Sequence, residues 1–160
     1  MEAIAKAAGI SRPGLYLMYP NKEELYRATI TGVMRRAQTA AETVLADQSL
    51  DLHAKLVTAL DELIGQYVES EVARDIDQLI QDSSPQLQPL TVEYGERALA
   101  TLAAAVAVEA PPGLLTEDLT ADHVTDILFS AALQWKYFAK DRDDFRTRVA
   151  RLVTLVLRAA

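Results

Sequence analysis

Apolar residues in this chain return every three or four positions, segment after segment, and no segment alternates convincingly as a half-buried strand does. At ~100° per residue, that recurrence lays each set on one face of an α-helix. Tyr26, Ile30, Val33, Met34, Ala37, Ala41 and Val44 form one stripe, and Leu52, Leu56, Leu60, Leu63, Ile64 and Tyr67 the next. A shorter helix is expected over 72–82 around Ile76, Leu79 and Ile80, stopped by the turn-forming run Asp82, Ser83, Ser84 and Pro85. From Pro85 to about Val108 the stripe is Tyr94, Leu99, Leu102 and Val106. "APPGLLTEDLTADH" is the one real linker, and Thr120 or Asp122 is placed to cap the helix after it. That helix carries Val124, Ile127, Leu128, Ala131, Trp135 and Phe138, and the last one Phe145, Val149, Leu152, Val153 and Val156. The expected fold class is all-α.

The first 25 residues are punctuated more densely. "EAIAKAAG" reads as a short helix with Ile4 inward, closed by Gly9, whose missing Cβ suits a left-handed position after the helix end. Ile10 is expected to pack underneath. Ser11 caps a second short helix, and Pro13 falls in its first turn, where an absent N–H costs nothing. Leu15 and Tyr19, four apart, share a face, which leaves Arg12, Pro13, Tyr16 and Lys22 to look outward. Pro20 ends the helix, and Asn21 with Glu24 offers a capping box to a long helix reaching about Ala46. Two short helices joined by a tight turn containing Gly make a helix-turn-helix.

The run "IAKAAGISRPGLYLMYPNKEEL" resembles the DNA-binding signature of the TetR-like transcriptional repressors. The resemblance spans roughly residues 1 to 36, and beyond it the likeness is one of architecture only. It implies a helix-turn-helix head followed by a helical ligand-binding and dimerisation bundle, a homodimer, and a second motif helix that enters the major groove of double-stranded operator DNA. Carried over position by position, Arg12, Pro13, Gly14 and Tyr16 would face base edges or the groove wall, while Ser11, Tyr19 and Lys22 would hold phosphates. Gly14 departs from the usual Thr or Ser, and Leu17 and Met18 stand where polar or histidine residues are frequent. Members of the family normally carry a further helix before this motif. Met1 aligns inside the first motif helix, so the head is expected to be incomplete at its N-terminus. The expected domains are 1–46, the head with its connecting helix, and 47–160, the ligand-binding and dimerisation body.

Charge supports that division. The 160 residues carry a net −7. Residues 1–46 hold six Lys or Arg against four Glu, a balance of +2, and the remainder holds ten against nineteen acids, a balance of −9. A cationic head on an acidic body suits a chain whose one end meets nucleic acid. The absence of cysteine removes disulfides and thiolate chemistry, and no run approaches the ~18 apolar residues of a membrane span. A cytoplasmic protein without membrane association is expected, and no cofactor or metal is called for. His53 and His123 lack partners at ligand spacing and are expected at the solvated surface. "KDRDDFRTR" is expected to be a solvated helix start. With no triad, phosphate-binding glycine loop or metal cluster, an enzyme is not expected. Tyr67, Tyr94, Phe129 and Trp135 are candidates to line a pocket for a small hydrophobic or aromatic effector, against the plainer reading as core. Leu128, Ala131, Trp135, Val149, Leu152 and Val156 are candidates for the dimer interface. The sequence thus reads as a ligand-responsive DNA-binding repressor, released from its operator by the effector. The alternative is a helical interaction or adaptor module that has lost DNA binding.

Overall fold

Seven α-helices and one 3-10 turn are the regular elements of the described residues, and none of these residues is in a strand. The structure is a computed structural model that describes residues 1–70 and 84–158, with the side chains of all but 84–88. The helices are α1 (Glu2–Ala7), α2 (Arg12–Met18), α3 (Lys22–Ala46), α4 (Leu52–Leu63), α5 (Ser84–Glu109), α6 (Ala121–Phe138) and α7 (Arg142–Leu157). The 3-10 turn is Gly65–Tyr67. The short helix expected over 72–82 lies outside the described residues. The second apolar stripe is broken where Ile64 leaves the helical conformation, so Tyr67 belongs to the 3-10 turn rather than to α4.

Local chemistry sets the helix ends. Side chains of Ser11, Asp51 and Asp141 accept from backbone amides three residues on, satisfying donors that the first turn leaves free. Thr120 forms a full capping box with His123, whose ring accepts from the Thr120 amide at 3.3 Å. His123 is exposed, as expected, yet it has this structural task. Asn21 caps α3 by accepting from the Glu24 amide at 2.8 Å, while the Glu24 carboxylate accepts from Arg27. No described helix is long and apolar enough to cross a membrane.

Two compact units result, Met1–Arg35 and Arg36–Ala160. Ala41 and Leu45 on the later turns of α3 belong to the core of the second unit. In that unit α5 packs along α6, α4 along α7, and α6 against α7. Leu56, Leu60, Leu102, Val106, Val124, Leu128, Phe145, Val149 and Val153 are sealed between them. Their burial, at ~25 cal/mol per Å² of apolar surface, is what holds the helices together.

Two charges are buried with that core. Lys55 on α4 is 1% exposed and pairs with Glu109 at the end of α5. Asp61, also 1% exposed, accepts from Arg142 through Nε at 3.0 Å and Nη2 at 2.8 Å, and from Arg146 as well. "KDRDDFRTR" is therefore a helix start but not merely a solvated one: two of its arginines tie α7 to α4. Gly65 lets the 3-10 turn sit against this clamp, since a Cβ there would lie 2.2 Å from the Asp61 carboxylate and 2.7 Å from the Phe145 ring. His53 is likewise not free at the surface. It is half-buried, with Nε2 2.9 Å from Thr154 Oγ1 and 3.2 Å from the Ala150 carbonyl.

Candidate nucleic-acid interface

The first unit is built around a tight turn between α1 and α2. Gly9 takes φ +66°, a conformation that L side chains rarely adopt. This lets the Gly9 amide donate to Lys6 O at 3.2 Å and the Ile10 amide to Ala5 O at 3.0 Å. These are the two bonds of a Schellman motif, and they close α1 as Gly9 in the sequence leads one to expect. Ile10 is 36% exposed, so it does not tuck underneath. Inward burial on α1 falls chiefly on Ala5, with Ile4 half-buried.

On α2, Leu15 is 2% exposed and anchors the helix. Tyr19 is half-buried just past its end. Ser11, Arg12, Pro13, Tyr16 and Lys22 are all exposed, and Gly14 is half-buried. The Ser11 hydroxyl accepts from the Gly14 amide at 3.1 Å, which leaves its own O–H free to donate. A Cβ at Gly14 would stand 3.0 Å from that hydroxyl oxygen, so a bare glycine gives the cap its room.

The cations on this side are only loosely held. Arg12 lies 5.7 Å from the centroid of the Tyr16 ring and 3.6 Å from the Glu2 carboxylate, in a pair that is largely exposed. Lys22 lies 5.0 Å from the centroid of the Tyr26 ring, and its pKa is pushed up, first by the hydrogen bond to Tyr26. Solvated contacts of this sort are weak, so a phosphate can take either cation at little cost. The N-terminus of α3, 25 residues long, adds the partial positive charge of its first amides beside Lys22. A guanidinium, a hydroxyl, a phenol and an ammonium are thus available to phosphates and base edges from one short segment.

The residue that sequence reasoning underrates is Leu17, 89% exposed, the most exposed of the large apolar side chains described. Its direction is readable from spacing, because it lies two positions beyond buried Leu15.

An all-α protein with a helix-turn-helix head, whose second helix turns its uncovered side outward, is the class defined by this arrangement. Residues 1–29 match the family model described as bacterial regulatory proteins, tetR family, so the head is similar to that family's. No curated protein and no solved structure matches the chain.

The remaining candidates are distributed through the second unit. Tyr94 donates to the Leu63 carbonyl at 3.4 Å, and burial pushes its hydroxyl pKa well up. Tyr67 is half-buried and is pushed up for the same reason. Phe129 is a core residue at 6% exposure, and Trp135 packs partly buried against the same core. A surface depression of about 370 Å³ is lined by Pro89, Val92, Glu93 and Glu96, and none of the four aromatic candidates lines it. Of the dimer candidates, Leu128 and Val149 are buried to 1% in the core of this chain. Ala131, Trp135, Leu152 and Val156 are half-buried. The apolar side chains that α6 and α7 leave exposed are Ile127, Leu133, Tyr137, Phe138 and Leu155.

Proposed function

We propose that this chain is a homodimeric transcriptional repressor that binds double-stranded operator DNA through α2 and is released by a small hydrophobic or aromatic effector. The observation that carries the reading is the outward face of α2 within a tetR-type head: Arg12 and Tyr16 together, Ser11 with a free O–H, and Lys22 at the start of α3. Arg12 is suited to the bidentate contact with guanine, Pro13, Gly14 and Tyr16 to the groove, and Ser11, Tyr19 and Lys22 to phosphates. Fluorescence anisotropy on duplex DNA tests it. Affinity should fall steeply with salt, Lys22→Ala should lower the log–log salt slope by about 1, and Arg12→Ala should relax sequence preference. Binding that ignores salt, or no binding, would remove the reading.

Dimerisation is proposed through α6 and α7. Ile127, Ala131 and Phe138 recur at spacings of four and seven along α6, a stripe that a two-fold copy would cover in a four-helix bundle, with Leu155 on α7 beside half-buried Leu152 and Val156. Phe138→Glu or Leu155→Glu should yield monomers in sedimentation, and a wild-type monomer at micromolar concentration would overturn the arrangement. For the effector, Tyr67 and Tyr94 are the proposed polar contacts, and Phe129 in the core and Trp135 packed against it are the proposed apolar ones. Trp135 is the single tryptophan, so its emission reports an effector directly. An effector that releases operator without changing that emission would exclude Trp135 from its site.

A further inference from the structure

In α2 each residue turns ~100° about the axis, so Leu17 lies ~200° from Leu15, on the side of the helix facing away from the core. The exposures agree: 2% for Leu15 and 89% for Leu17. Pro13, one turn earlier at i−4, shares the direction of Leu17, and Gly14 and Met18 flank the pair. None of these four side chains carries a strong hydrogen-bond donor or acceptor. Arg12 and Tyr16 stand to one side of the strip, and Arg12 is drawn toward Tyr16 and Glu2. The most outward part of the helix is therefore apolar. A leucine left in water contributes nothing to folding by burial. Its place on the same helix and within the same turns as Arg12 and Tyr16 makes it continuous with the DNA-binding face. Among base edges in the major groove, the apolar group available to it is the C5-methyl of thymine.

We propose that Leu17, backed by Pro13, reads a thymine methyl in the major groove, so that sequence choice at that position rests on apolar contact and not on hydrogen bonding. This rests on the DNA-binding reading above. Gly14 fits the same picture: without a side chain beside Leu17, the helix can approach the base edges closely.

The test begins with selection of preferred duplexes from a random library by the 160-residue chain. Each thymine of the selected duplex is then replaced in turn by deoxyuracil, which deletes the methyl and preserves every hydrogen-bonding group. At one position per half-site the wild-type chain should bind about fourfold more weakly, the size expected for one buried methyl. Leu17→Ala should bind the thymine duplex correspondingly less well and be indifferent to the deoxyuracil replacement, whereas Leu17→Met should keep most of the discrimination. Leu17 is almost fully exposed on a helix and Ala is the better helix former, so thermal melting of Leu17→Ala should match the wild type. A methyl effect of the same size in Leu17→Ala, or no methyl effect in the wild type, overturns the inference and leaves DNA binding standing. A library that yields no enriched duplex overturns the operator-binding reading and this inference with it.

Discussion

Ser11 is given two tasks that a pair of substitutions separates. Its oxygen accepts from the Gly14 amide at 3.1 Å and caps α2, and its O–H is proposed to donate to a phosphate. α2 spans seven residues, far below the length at which an isolated helix persists in water, so its ends matter. Ser11→Ala removes the cap, a loss of about 1 kcal/mol, which multiplies local opening by about five. The amides of Leu15 and Tyr19, bonded to Ser11 O at 3.0 Å and Leu15 O at 2.9 Å, should then exchange with deuterium about fivefold faster. Amides in the second unit, at Leu60 and Val149, should keep their wild-type rates. Operator affinity should fall by several-fold, combining a lost phosphate hydrogen bond of about 1 kcal/mol with the looser helix. Ser11→Asp keeps a capping oxygen and adds a negative charge, which suits a helix N-terminus but repels phosphate. Its α2 amides should stay protected while operator affinity drops at least about tenfold, the equivalent of roughly 1.4 kcal/mol. Unchanged exchange in Ser11→Ala would refute the capping argument, and wild-type affinity in Ser11→Asp would refute the phosphate contact.

Other perturbations probe the second unit. Asp61→Ala should cost about 2–3 kcal/mol in urea unfolding, at the lower end for loss of a buried ion-pair partner because Arg142 and Arg146 are half in water already; a loss below about 0.5 kcal/mol would show that the clamp does not hold α7. Gly65→Ala should cost about 1–3 kcal/mol through overpacking against Asp61 and Phe145, and a neutral result would mean that the turn yields freely. Glu42 is held below its ordinary pKa of 4.5, first by Arg97 and then by Gln38. A depressed folded pKa means that its contribution is complete above 4.5 and is lost as pH falls through the lower folded value, so Glu42→Gln should flatten the acid limb of the stability curve. Superimposable acid limbs for the two proteins would refute that role.

How much of this is legible in the sequence differs by feature. The helix-turn-helix is written into local chemistry: Gly9 at a positive φ, Ser11 as cap, Pro13 in the first turn and Asn21 before α3 each act within three or four residues of themselves. Such interactions need no distant partner, so residue type and spacing determine them. The apolar stripes likewise mark which residues are buried, from Leu56 and Leu60 to Val149 and Val153, because burial of a helical face follows its period. What the stripes cannot say is which buried face meets which. By spacing alone Leu128 and Val149 suit a partner's surface as well as the chain's own core, and only the packing of α6 with α5 and α7 turns them inward. Lys55 and Asp61 are invisible as buried charges in the sequence, since their partners lie 54 and 81 residues away in Glu109 and Arg142. His53 misleads for the same reason, with Thr154 reached only once α4 lies along α7. Short-range hydrogen bonds and periodicity are properties of the chain taken a turn at a time. The pairing of faces and the neutralisation of buried charge depend on residues that only the folded body brings within a few ångströms.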